Sequence, residues 1–188
     1  MHRTIFGTVL LLAAFAGTAL AQASAPPNGD AGSDRKQIEN ALSAAPAEVA
    51  AHATVVAHDN RVLRAGTNGW VCMPDMPEAP NNAPMCLDEP WQEVIDAWVH
   101  KRAPVVTRVG VGYMLQDDLA VSNTDPFATA PAPGNQWLEN SGPHVMIFLP
   151  DAALLESVST DPRNGGPYVM WKGTPYAHIM VPAPRRTR

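Results

Sequence analysis

Val105-Val106-Thr107-Arg108-Val109-Gly110-Val111-Gly112-Tyr113-Met114-Leu115 is the stretch whose reading decides the fold. Its alternation has the period of a β-strand with two distinct faces. Val105, Thr107, Val109, Val111, Tyr113 and Leu115 form one face, and Val106, Arg108, Gly110, Gly112 and Met114 form the other. Gly110 and Gly112 leave a shallow trough, which a ligand or another backbone can approach closely; the alternatives are a bulge or a large side chain, such as tryptophan, that fills the space.

Working outward, Ala103-Pro104 closes the segment before this strand, because proline stops a helix. That segment reads as a helix opening at Asp88 or Glu89, with Pro90 in the first turn, where proline is tolerated. Trp91, Val94, Ile95, Trp98 and Val99 line one apolar stripe, and His100, Lys101 and Arg102 follow where the helix dipole favours cations. Further upstream, residues 54–57, 61–65 and 70–73 are short β-prone runs between turn residues and predict an antiparallel meander. A first helix starts at Ser33 or Asp34, with Gln37 placed as in a capping box, and reaches Pro46. Downstream, residues 116–143 carry no clear element. Residues 144–149, 168–171 and 177–181 read as strands, and a short helix starts at Pro150-Asp151 and runs to about Val158. The expected fold class is α+β: a mostly antiparallel sheet of about 5–7 strands, with two or three helices packed on one face.

Composition agrees. Nineteen prolines in 188 residues argue against a helical bundle, and the length suits one domain. A formal charge of -5 makes nucleic acid an unsuitable partner, since phosphate binding needs a basic surface.

The N-terminus reads as an export signal. Met1-His2-Arg3 is basic, residues 5–15 are an almost unbroken apolar stretch, and Ala19-Leu20-Ala21 supplies a small-residue cleavage site. The apolar core is too short to span a bilayer, and no later stretch qualifies. The expected organisation is a signal peptide at 1–21, a flexible leader at 22–32, one domain at 33–184 and a basic tail at 185–188. The expected location is periplasmic or secreted. In such a compartment Cys72 and Cys86, the only two cysteines, are expected to form a disulfide. Closing a loop of that size contributes about 3 kcal/mol in the chain-entropy model.

Three groups of residues could carry function. The first is His-x-Met, present twice as His144-Val145-Met146 and His178-Ile179-Met180. Alternation places each histidine on the same face as its methionine, and imidazole with thioether suits copper. Met73, Met76 and Met85 add further sulfur. The second is an acid–base set of Tyr113, Asp125, His144 and His178; locally, Asn123 and Asp125 also suit an Asx turn. No Gly-x-Ser-x-Gly elbow, His-Glu-x-x-His or phosphate-binding loop is present. The third is a small-molecule or partner surface built on the Gly110/Gly112 trough with Trp70, Trp137 and Tyr176. A binding module, without enzyme activity, is the leading expectation. Copper binding and acid–base catalysis are the alternatives.

Several stretches taken together resemble a group of exported bacterial proteins without an assigned activity. They are Asn68-Gly69-Trp70-Val71-Cys72, Pro84-Met85-Cys86-Leu87-Asp88, Ser122-Asn123-Thr124-Asp125-Pro126, and residues 165–171 running into 173–180. The resemblance covers most of the chain after the leader. It implies export and a single domain, and supplies no catalytic residues.

Overall fold

A computed structural model describes residues 31–185. The expected signal peptide, most of the leader, and Arg186 and Arg188 of the tail lie outside the described residues. The chain is α+β and its sheet is mostly antiparallel, with more strands than the sequence suggested. Eight strands run in the order β2-β1-β3-β4-β5-β8-β10-β9. They are β1 (Thr54–Val56), β2 (Val62–Arg64), β3 (Val71–Met73), β4 (Met85–Leu87), β5 (Gly110–Met114), β8 (His144–Phe148), β9 (Tyr168–Met170) and β10 (His178–Pro182). A separate two-stranded ribbon pairs β6 (Val121–Ser122) with β7 (Trp137–Leu138) inside the stretch that showed no element in the sequence.

Two pairings depart from expectation. β1 lies parallel to β3 and antiparallel to β2, so the first three strands are not a simple meander. β4 was hidden by the prolines around it, and it pairs with β3 so that Cys72 faces Cys86 directly. These two cysteines form the disulfide, and the described residues contain no free cysteine.

Helix α1 (Ala31–Leu42) starts two residues before Ser33, so Ala31 and Gly32 belong to its first turn rather than to the leader. A single turn, α2 (Ala47–Ala50), follows Pro46. Helix α3 (Glu89–Val99) is capped by the Asp88 carboxylate, which accepts the Trp91 N–H at 3.0 Å. Its far end is a Schellman turn. The Lys101 N–H donates to Trp98 O and the Arg102 N–H to Ala97 O, with Lys101 at φ 53° where glycine is the usual residue. The helix expected after Pro150 is one 3-10 turn, Ala152–Leu155.

β5 begins only at Gly110. The five residues before it run along α3 instead: the Val105 N–H donates to the Glu93 carboxylate and Arg108 pairs with Glu89.

The helices cover opposite faces of the sheet, which corrects the expectation of one face. β4 shows why: Cys86 points to the α1 side, where Ala41, Ala44 and Ala45 pack over Val55 and the disulfide. Its neighbour Leu87 points to the α3 side, among Trp91, Val94, Met114, Met146, Phe148, Met170 and Met180. The small alanine face of α1 fits over the disulfide, and the bulky stripe of α3 fits over glycine-bearing β5.

Candidate functional site

The α3 side of the sheet places the Gly110/Gly112 trough beneath α3. A Cβ on Gly110 would meet Pro90 and Trp91 at 3.2 Å, and one on Gly112 would meet Met146 Cε at 2.8 Å. The trough is therefore occupied by the protein's own side chains. Trp91, 1% exposed, covers Gly110 and donates its indole N–H to Met146 O at 3.2 Å, while Met146 and Leu87 cover Gly112.

Strand register then builds a band of sulfur and imidazole across this face. On β5 and β8, Met114 stands directly opposite His144. On β8 and β10, Met146 stands opposite Met180. On β10 and β9, His178 stands opposite Met170. Directly paired side chains of this kind have Cβ atoms about 4.5–5.5 Å apart. The antiparallel pair β8/β10 has a local two-fold axis at Met146/Met180, which relates His144 to His178 and Met114 to Met170. All six residues are buried.

The two His-x-Met pairs thus share a face, on neighbouring strands. They do not collapse onto one point. His144 and His178 are offset by four residues of strand, about 13 Å along the strand direction, with the Met146/Met180 pair between them. Each imidazole is next to three methionines: one opposite, one two residues along its own strand, and one on the diagonal.

Both rings are held the same way. His144 Nδ1 bonds Gly142 O at 2.7 Å, and His178 Nδ1 bonds Tyr176 O at 2.9 Å, each two residues back along its strand. A carbonyl only accepts, so in both rings Nδ1 carries a proton; burial keeps His178 neutral, so its Nε2 carries a bare lone pair. Both Nε2 atoms are buried without a hydrogen-bond partner. Leaving one such acceptor unpaired costs about 1–3 kcal/mol. Nδ1–H anchored on a carbonyl, with Nε2 turned to the interior, is how proteins orient a metal-binding histidine.

The two ends differ in surroundings. Around His144 lies a polar cluster that the sequence did not reveal: Asp118, Ser141 and Tyr168. Burial pushes the Asp118 carboxyl above its usual range, and the nearby His144 imidazole and Ser141 hydroxyl pull it back down. Burial likewise pushes the Tyr168 phenol up. Ser141 Oγ sits near both groups without closing a full hydrogen bond. Around His178 lie two indoles, Trp91 at 5.0 Å and Trp171 at 5.2 Å between ring centroids, both edge-to-face. Burial pushes the His178 pKa down to about 4, and His144 adds to the effect.

Trp171 has a left-handed backbone, φ 56°, which costs an aromatic residue about 1–2 kcal/mol. It is held there by two bonds to the β6 segment: its backbone N–H donates to Asn123 O at 2.8 Å, and its indole N–H to Ser122 O at 2.7 Å. Such outliers persist where the surroundings over-determine them, and they cluster at functional sites.

The remaining candidates are scattered. Tyr113 lies on the other face, stacked on Trp70 at 5.2 Å beside the disulfide. Asp125 is exposed, and its carboxylate accepts the Phe127 N–H at 2.9 Å in an Asx turn. The acid–base set of Tyr113, Asp125, His144 and His178 therefore does not meet around one cavity. Trp137 is half-buried in β7, and the buried Tyr176 donates its hydroxyl to Arg102 O at 2.9 Å. These two, Trp70 and the trough form no common surface. Met73 and Met85 flank the His/Met band, whereas Met76 is 48% exposed in the loop between the cysteines.

No protein-family model matches the chain, and neither a curated protein nor a solved structure is significantly similar to it. The functional reading rests on the site itself.

Proposed function

We propose that the protein binds a soft metal ion, Cu(I), in an oxidising compartment outside the cytoplasm. The observation that carries this reading is the pair of buried, unpartnered Nε2 atoms, each flanked on its sheet face by methionines. Thioether selects Cu(I), and neutral imidazole accepts either copper oxidation state. The six residues of the band carry no thiolate or carboxylate, and the Asp118 carboxyl lies beside the His144 end alone. Among the described residues, no group of three or more His, Cys, Asp or Glu could hold a metal, so harder divalent ions find no comparable site. A monovalent ion with neutral ligands also suits a closed core, where burying higher charge is expensive. The Cys72–Cys86 disulfide supports the choice of compartment. Among the described residues no helix is long and apolar enough to cross a membrane.

The test is competition for Cu(I) against a coloured Cu(I) chelator under reducing conditions mild enough to keep the disulfide. The protein is expected to withdraw Cu(I) from the chelator. The double variant Met146→Leu, Met180→Leu keeps side chains of similar volume, which cores tolerate well, and is expected to weaken uptake by about tenfold or more. If the chelator keeps all its copper while the protein stays folded, the reading fails.

A further inference from the structure

The His/Met band is closed, yet the sheet register extends it in one direction. On β3 and β4, Met73 stands directly opposite Met85. β4 pairs with β5 so that Leu87 faces Gly112 and Cys86 faces Tyr113, and the same register continued by one residue sets Met85 opposite Met114. Met114 in turn stands opposite His144. Four neighbouring strands therefore carry one row across the α3 side of the sheet: Met73, Met85, Met114, His144. Neighbouring strands lie about 5 Å apart, so each step of the row is short enough for adjacent thioethers to meet.

Exposure is graded along the row. Met73 and Met85 are half-buried, whereas Met114 and His144 are buried. Met73 ends β3 and Met85 begins β4, so the outer pair stands at the base of the loop bracketed by the cysteines. The row then ends on the unpartnered Nε2 of His144. Methionine is a common filler of irregular cores, and one or two such residues would need no other account. Here every methionine of the described residues except Met76 packs in or against this one core, and each position of the row is a soft donor. The His178 end has no counterpart: Met170 is buried on β9, the last strand of the sheet, and two indoles close around the imidazole.

We propose that Met73 and Met85 form an outer Cu(I) site, from which the ion passes by way of Met114 to His144. This rests on the Cu(I) reading above and adds to it the port through which the closed band is filled. At each step a bond to the next thioether forms as the bond to the last one breaks. No electron or proton moves, and the ion stays Cu(I) throughout. A bare cation in an apolar core is expensive, and the row keeps soft, neutral donors beside the ion along the whole path.

The experiment mixes the full protein with a coloured Cu(I)–chelator complex, without air, and follows the loss of colour in a stopped-flow instrument. Protein is kept in excess over copper, so that the final extent reports the inner band. The double variant Met73→Leu, Met85→Leu conserves volume and is expected to take up Cu(I) more slowly by about tenfold or more, to the same final extent. A structural injury to the band would lower the extent instead, and would overturn the port as the cause. Met85→Leu alone, a milder change at a half-buried position, is expected to slow uptake in the same sense. Met76→Leu removes the exposed thioether outside the row and is expected to leave the rate unaltered. Double-variant rates within about twofold of the unaltered protein, or equal slowing by Met76→Leu, overturn the port alone. Absence of uptake in the unaltered protein overturns both the port and the Cu(I) reading.

Discussion

At one end of the methionine band His144 faces Met114, with Asp118, Ser141 and Tyr168 around it. At the other, His178 faces Met170 between two indoles. The backbone plan is shared: the same two-residue hydrogen bond from Nδ1 and the same cross-strand methionine, related by the local two-fold axis of β8 and β10. What differs is supplied from outside the paired strands. The long segment after β5 brings Asp118 and Ser141 to one end, while α3 and the turn after β9 bring Trp91 and Trp171 to the other. Strand pairing thus sets which ligand atoms are present. The covering elements set whether an added charge meets a carboxyl group or an aromatic wall.

Removing one covering element should separate the two ends most strongly. Trp91 covers Gly110 and packs against His178 and Phe148, so Trp91→Ala is expected to cost about 3–5 kcal/mol in denaturant unfolding. A loss under 1 kcal/mol would mean that the aromatic end does not depend on α3.

A smaller effect follows from protonation. The native metal-free protein keeps His178 neutral down to about pH 4, whereas the unfolded chain takes up that proton near 6.5. The unfolded state then binds more protons in this window. Stability is therefore complete above about pH 6.5 and falls as pH drops towards 4, by up to about 1.4 kcal/mol per unit. Unfolding curves between pH 7 and 5 should show this slope, and His178→Gln should flatten it. An unchanged slope in that variant would assign the effect to other groups.

The smallest effect lies at the C-terminal end of α3. Lys101→Gly removes a left-handed lysine from the helix cap and should raise stability by about 1 kcal/mol. Unfolding curves of this variant check it, and a loss of stability would mean that the lysine cation over Phe127 outweighs the strained backbone.

Much of the architecture is legible from local pattern. Alternation along residues 105–115 places Gly110, Gly112 and Met114 together on the face that is buried, and the Trp91 stripe marks the face of α3 that packs. The disulfide follows from the cysteine count and the expected compartment. Alternation also put His144 with Met146 and His178 with Met180. Their partners Met114 and Met170 were out of reach, because cross-strand register is a long-range property that local period does not encode. β4 was masked by Pro77, Pro80 and Pro84, although the disulfide and β5 hold it in the sheet. Asp118 and Ser141 looked like ordinary loop residues, and only the packing of that loop against β8 and β9 brings them to His144. Trp171 was invisible as a special residue because its left-handed backbone depends on Ser122 and Asn123, about fifty positions away in the chain.

The claim at the centre of this account is that ions enter the methionine band itself. Methyl NMR of protein labelled at the methionine methyl carbons, titrated with Ag(I) as a redox-inert substitute for Cu(I), tests it most directly. Signals of Met114, Met146, Met170 and Met180 should move together, with Met76, exposed in the cysteine-bracketed loop, unchanged. Movement confined to Met76, or no movement in a folded protein, would contradict the account.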